Sequence, residues 1–342
     1  MSSGQVTIKD IARQLNISVA TVSRALRDFP DINENTKKAV TTLAAELDYR
    51  PNQIAQSLVK RRTNTIGVVI PTFVIPFYAS AISGIQEEAA KANYNVMVCQ
   101  SNESYTTEVS NIYTLASSRV DGLLVSVSKE TTNFDHLQCL QQKGIEIVFF
   151  NRVYEGMSVA TVVVDDYDGA VAATEHLINI GRKRIAHFCG PQNLSISQER
   201  RKGYIDSLKK FNLPIREELM LSCDFNIASG MDAARQLLQI RPLPDAIFAV
   251  SDSVAFGAMK VLKEQGIKIP EDIAIAGYTD EPTASLVDPG LTTVAQPTFE
   301  IGQAAARLLF AQINKTSKES VCPKTVLKTR LIIRGSTVKN AV

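Results

Sequence analysis

From Thr65 onward the chain alternates short apolar runs with amphipathic stretches, a rhythm that restricts it to few folds. Ile66–Ile70, Tyr94–Gln100, Gly122–Ser126 and Glu146–Phe150 read as strands. Between them Phe77–Lys91, a stretch near Thr107–Ser118 and His136–Lys143 carry helical periodicity. The pattern restarts with strands at Thr161–Val164, Arg184–Phe188, near Leu219, Ala246–Val250 and Ile273–Ala276. Helices Tyr167–Ile180, Gln198–Phe211, Ile227–Ile240 and Ser253–Gln265 separate these. Strands buried on both faces are apolar throughout, and each parallel pair needs a crossover helix. Two such units in series predict two doubly wound parallel-sheet lobes. In such sheets a ligand binds beyond the carboxyl ends of the strands, here in a cleft between the lobes.

The first sixty residues follow a different pattern and predict an all-α head. Thr7 and Asp10 have the spacing of a capping box, and Ile8, Ile11, Ala12 and Leu15 then share one helical face. Asn16 suits the left-handed position of a tight turn, and Ser18 caps a second helix, Val19–Leu26. Val22, Ala25 and Leu26 point inward there, leaving Val19, Ala20, Thr21, Ser23 and Arg24 outward. A third helix, roughly Glu34–Leu47, turns Val40, Leu43, Ala44 and Leu47 inward. Two short helices joined by so tight a turn form a helix-turn-helix. Small side chains plus one arginine suit a helix entering a major groove, where arginine reads guanine with two hydrogen bonds. After Pro51, Asn52 can cap a short segment carrying Ile54, Ala55 and Leu58, too short to be helical on its own.

Charge is divided in the same way. Residues 1–62 carry a net charge of +4 and the remainder −2, for a total of +2 over 342 residues. A basic head on a slightly acidic body places any polyanionic partner at the head, although a solvated basic surface gives the same count. The polar start, Met-Ser-Ser-Gly-Gln-Val, predicts no secretory signal, and no apolar run is long enough to cross a membrane. Five scattered cysteines without a Cys-x-x-Cys pair predict neither a zinc site nor a disulfide framework, and fit a reducing cytoplasm. Gly-x-Gly-x-x-Gly, Gly-x-Ser-x-Gly and Walker sequences are missing, and His136, His176 and His187 stand apart from one another. These features argue against an enzyme and imply no cofactor or metal. His187, inside a strand, reads as a core residue.

The ordered motifs Thr7-Ile-Lys-Asp-Ile-Ala, Ser18-Val-Ala-Thr-Val-Ser-Arg-Ala-Leu, Asp48-Tyr-Arg-Pro-Asn and Ala55-Gln-Ser-Leu resemble the head and hinge of the lactose/galactose repressor (LacI/GalR) family. The body adds Asp165-Asp-Tyr-x-Gly-Ala, Arg200-x-x-Gly-Tyr, Ser251-Asp-x-x-Ala-x-Gly and Leu291-Thr-Thr-Val. The resemblance therefore runs through nearly the whole chain. It implies a periplasmic-binding-protein-like core behind the helix-turn-helix, with the chain crossing between lobes near 163, 295 and 324. The expected organisation is a head over 1–50 and a hinge over 51–63. The first lobe then takes 64–163 and 296–324, the second 164–295 and 325–336, and 337–342 form a tail.

By the same resemblance Thr7, Ser18, Val19, Ala20, Thr21, Ser23, Arg24, Asn52, Ala55 and Leu58 contact DNA. Val19 and Ala20 choose among operators, Arg24 reads guanine, and Leu58 wedges into the minor groove. Phe77, Tyr78, Asn151, Arg200, Phe225, Ser251, Asp252, Thr279, Asp280 and Gln296 are the implied effector contacts. The plain structural alternatives are a surface ion pair for Arg200 and a helix N-cap for Asp252. The sequence departs from the family after Tyr278, where the usual acid is replaced by Thr279 and Asp280 follows. Either Asp280 takes over, or the effector lacks the corresponding hydroxyl.

These expectations describe a cytoplasmic homodimeric transcription regulator, read as a repressor. It binds a pseudo-palindromic operator in double-stranded DNA and answers to a small molecule, with carbohydrate the favoured class. The alternatives are a nucleobase or nucleoside effector, a protein co-regulator, or a sugar-capture protein without gene regulation. A non-specific DNA-binding protein would leave the large cleft-bearing body without a role.

Overall fold

A computed structural model describes residues 6–49, 62–315 and 322–338, and the chain divides into two compact units at Thr63/Asn64. The smaller unit is a three-helix head of α1 (Ile8–Leu15), α2 (Val19–Leu26) and α3 (Glu34–Glu46). Its core holds Ile11, Val22 and Val40, all fully buried, with Ala12, Ala25 and Ala44. Leu26, Leu43 and Leu47 pack against these residues. Asn16 ends α1 at φ 49°, where its short polar side chain tolerates the left-handed conformation. The carboxylate of Asp10 accepts from both the backbone N–H (2.9 Å) and the hydroxyl (2.7 Å) of Thr7, closing the entry to α1.

The larger unit contains two six-stranded sheets. The first lobe opens with β1 (Thr65–Ile70), α4 (Pro76–Lys91), β2 (Asn95–Gln100), α5 (Tyr105–Ser117) and β3 (Gly122–Val125). It continues with α6 (Asp135–Gln142), β4 (Glu146–Phe150) and β5 (Ala160–Val164). The second lobe follows with α7 (Asp166–Asn179), β6 (Ile185–Cys189), α8 (Ser195–Lys210), β7 (Met220–Ser222) and α9 (Ile227–Leu237). Next come β8 (Ala246–Ala249), α10 (Asp252–Glu264), β9 (Ala274–Thr279) and β10 (Thr292–Ala295). The chain then returns for α11 (Thr298–Ile313) and β11 (Lys324–Leu327), and crosses back for β12 (Arg330–Ile332).

The strand orders are β11-β5-β4-β3-β1-β2 and β12-β10-β9-β8-β6-β7. Every pair is parallel except β10–β12. The order reverses between β1 and β3 in one lobe and between β6 and β8 in the other. At those points successive crossovers diverge and open a crevice. Apolar residues line both faces of each sheet, which is why the strands read as continuous apolar runs.

Two boundaries differ from expectation. Residues Lys324–Leu327 pair in parallel with Thr161–Val164, so β11 belongs to the first lobe and the last crossing lies at Lys328–Thr329 rather than near 324. Thr337, placed in a tail, is buried and bonds Thr292 (2.7 Å) and His176 Nε2 (2.8 Å). Helix α11 was not foreseen as an element. It lies against α4 with its backbone so close that a Cβ on Gly302 would sit 1.9 Å from the Ala81 carbonyl oxygen.

Candidate functional site

On the head, α2 turns one face outward. Val19 is 41% exposed, Ala20 and Ser18 are exposed, and Thr21 and Ser23 are half-buried. The Ser18 hydroxyl accepts from the Thr21 N–H at 3.0 Å and meets the Thr21 hydroxyl at 2.8 Å, so both side chains help fix the start of the helix. Arg24 is exposed, ion-paired to Asp31 and held 5.4 Å over the Phe29 ring. Any further acceptor must therefore displace a carboxylate to recruit it. Asn52, Ala55 and Leu58 lie outside the described residues.

In the core, the strand ends of both lobes converge on a cleft of about 400 Å³, its mouth included. Phe77 and Tyr78 enter it at the start of α4, after β1, and Asn151 follows β4. Arg200 comes from α8, Phe225 from the β7–α9 loop, and Ser251 from the end of β8. Thr279 and Gln296 close the wall after β9 and β10. Tyr78 is buried, bonded to Ser126 Oγ (3.1 Å) and to the Asn151 side-chain amide (3.2 Å). Its ring meets Phe77 edge-on at 5.1 Å. Burial pushes the Tyr78 hydroxyl above its usual range, so it stays neutral.

Arg200 is only 2% exposed and is not a surface pair. Its Nε and Nη2 donate to one oxygen of Asp166 at 2.8 and 2.7 Å. Nη1 donates to the Val250 carbonyl at 2.7 Å, and the guanidinium lies 3.7 Å over the Tyr278 ring. Burial raises the Asp166 carboxyl, and the Arg200 charge pulls it back down. Pairing, stacking and a carbonyl together fix the plane of the fork against the cleft wall.

Two expected residues point elsewhere. Asp252 is fully buried behind the wall, where its carboxyl accepts from the Thr293 hydroxyl (2.5 Å) and the Glu281 N–H (2.8 Å). It is not the N-cap either, since that is Ser251, which accepts from Val254 N–H. Burial pushes Asp252 up to about 7. Asp280 pairs with Arg334 at 2.8 Å, so it does not take over from the missing acid. The backbone turns through φ 128° at Thr279 and 60° at Asp280, and this kink brings the next side chain, Glu281, into the cleft.

Ile75, Arg152, Ile196, Ser253 and Glu281 also line the site, and the sequence reading missed them. Arg152 follows Asn151 directly at the end of β4, which was the available signal. It is 2% exposed, bonds both oxygens of Glu103 through Nη1 (2.9 and 2.8 Å), and reaches across to the Phe225 ring at 5.1 Å. On the same side, Lys129 of the first lobe pairs with Asp224 of the second at 3.0 Å. His187 is buried in β6 with Nδ1 2.9 Å from the Phe248 carbonyl, and burial lowers it to about 4, so its ring is neutral and Nδ1 donates. Among the described residues there is no cluster of three His, Cys, Asp or Glu able to hold a metal, and no helix long and apolar enough to cross a membrane.

Residues 7–52 match the family model of bacterial regulatory proteins of the lacI type, and residues 63–331 match that of periplasmic binding proteins and the sugar-binding domain of the LacI family. The chain belongs to the LacI family. This LacI-family chain is 32% identical to the ribose operon repressor of Halalkalibacterium halodurans, with 97% of each covered. It is 31% identical to catabolite control protein A of Priestia megaterium, covering 92% of this chain and 95% of the relative. Among solved structures it is similar to a transcriptional regulator CelR–cellobiose complex at 31% identity and TM-score 0.75, covering 97% of this chain and 99% of that one. The lac repressor dimer bound to operator shares the fold, with TM-score 0.87 at 23% identity, covering 98% of this chain and 100% of that one. As a LacI-family member the chain is a DNA-binding transcription regulator with an effector-binding core.

Proposed function

We propose that this chain is a repressor that binds a pseudo-palindromic operator as a homodimer in the bacterial cytoplasm. Its grip is set by a sugar or sugar derivative held between the core lobes, and it acts by binding rather than catalysis. The observation that supports the effector reading best is the convergence of Phe77, Tyr78, Asn151, Arg200, Phe225, Ser251, Thr279 and Gln296 on one cleft. That set combines aromatic faces for the C–H side of a ring with fixed polar groups for its hydroxyls. The ligands of two relatives, ribose in the name of the operon repressor and cellobiose in the CelR complex, support the same class. In the head, Val19, Ala20 and Arg24 take the base-reading role. Thr7, Ser18, Thr21 and Ser23 lie beside them, and Asn52, Ala55 and Leu58 belong to the hinge.

The test is a thermal-shift screen of the full chain against sugars, sugar derivatives and nucleosides. A ligand at a hundred times its dissociation constant stabilises the native state by about 2.7 kcal/mol. A hit is expected to vanish in Phe225→Ala and in Asn151→Ala. A hit that survives both substitutions would move the site elsewhere. Binding-site selection on random DNA is expected to return an inverted repeat whose preference relaxes at one base pair per half-site in Arg24→Ala. An unchanged motif refutes that role.

A further inference from the structure

The cleft's charges are paired in an uneven way. Arg200 is matched by Asp166 and Arg152 by Glu103, each through two hydrogen bonds. Glu281, 7% exposed on the cleft wall, has no such partner, and among the described residues no cation pairs with it. One of its oxygens accepts from the Ser253 hydroxyl at 2.9 Å. Behind it stand two more acids, Asp252, which holds the Glu281 N–H, and Asp280, which is spent on Arg334. With the two arginines matched and Asp280 paired, Glu281 is the acid of the cleft lining that no cation offsets.

The unpartnered polar atoms add a second constraint. Gln296 Oε1 is a buried acceptor without a donor, and Arg152 Nε is a buried donor without an acceptor. Both residues line the cleft. Buried polar groups are normally satisfied, so an occupant that donates to Gln296 and accepts from Arg152 completes the site, and it does so beside the Glu281 carboxylate. Hydroxyl groups do both. Esterifying one hydroxyl with phosphate replaces a donor by an acceptor-only dianion and would bring its charge next to an unpaired carboxylate in a partly desolvated site.

We propose that Glu281 is the specificity-determining residue of the cleft, and that it selects an uncharged polyhydroxy ligand, a free sugar, against its phosphate ester. The kink at Thr279–Asp280 moves the acid two positions along the chain, so the ligand hydroxyl it meets lies beside Ser253. The proposal rests on the cleft being the effector site.

The experiment titrates the full-length protein with matched pairs: D-ribose and ribose 5-phosphate, D-glucose and glucose 6-phosphate, cellobiose and its 6′-phosphate. The expected result is binding of at least one free sugar, with its ester at least tenfold weaker. Glu281→Gln is expected to weaken the free sugar at least tenfold and to narrow the gap to the ester. An ester bound as tightly as its sugar or more tightly overturns the selectivity while leaving the cleft reading intact. Undiminished discrimination in Glu281→Gln overturns the role of this residue. No binding by any member overturns the cleft reading itself, and the proposal with it. If Glu281→Gln does not fold, Glu281→Ala replaces it, and the wild-type pairs decide the selectivity without any variant.

Discussion

Replacing Asp166 with asparagine tests whether the Arg200 pair is as buried in solution as its geometry requires. The substitution keeps the volume of the side chain and removes its charge. Arg200 then remains 2% exposed, with a cation facing a neutral amide. Breaking a buried pair by removing one partner costs about 3–5 kcal/mol. The low end applies here, because Arg200 lines the cleft and gains water there, while the Val250 carbonyl and the Tyr278 ring still hold it. About 3 kcal/mol displaces a urea midpoint by roughly 1 M for a unit of this size. Tyrosine fluorescence reports it, since the chain has no tryptophan and all nine tyrosines except Tyr49 belong to the larger unit. Adding Arg200→Met to Asp166→Asn removes the stranded charge, so the double variant is expected to regain about 2 kcal/mol over Asp166→Asn alone. A loss below about 0.5 kcal/mol in Asp166→Asn, or strictly additive behaviour, would refute a desolvated pair.

Gly302→Ala forces a Cβ against the Ala81 carbonyl, so α4 and α11 must separate; a loss of at least about 2 kcal/mol and a Tm lower by roughly 5 °C are expected. An unchanged Tm would mean the helices pack further apart. Asp252 gives a pH signature. Its folded-state value of about 7 lies above the ordinary 3.8, so the native state holds its proton longer than the unfolded chain does. Stability is therefore lost as pH rises from about 4 to 7, by at most about 4 kcal/mol, and Asp252→Asn is expected to remove that part of the dependence. Parallel urea midpoints for the two proteins between pH 5 and 8 would contradict it.

The strand–helix rhythm was readable because strands covered on both faces leave continuous apolar runs such as Ile66–Ile70 and Glu146–Phe150. Helix α11 carries a readable stripe too, Ile301, Ala305 and Leu309, which are all fully buried. Small residues along it, Gly302, Ala304, Ala305 and Ala306, dilute that stripe. The cleft shows a sharper limit. Residues directly at strand ends, such as Asn151 and Ser251, line the cleft. Beyond Thr279 the backbone enters positive φ, and a one-residue change of direction sends Asp280 to Arg334 and Glu281 inward. Sequence spacing does not record such a turn. Asp252 fails for another reason: the Ser-Asp pair at the start of α10 identifies a helix start without saying which side chain caps it and which points into the core.

The interleaving of the lobes also dictates an order of events on the ribosome. Strands β1–β5 emerge first, yet the residues that cover one face of their sheet, Ile301, Ala305, Ala306, Leu309 and Phe310, belong to α11. The whole stretch from α7 to β10 must be translated in between, on the order of ten seconds at ordinary elongation rates. During that interval Phe77, Ile82 and Val148 lack their final cover. The second lobe, by contrast, has five of its six strands in hand before α11 appears and awaits only β12. The lobe begun first is thus completed late, and its unfinished face is where a nascent-chain chaperone would find a client.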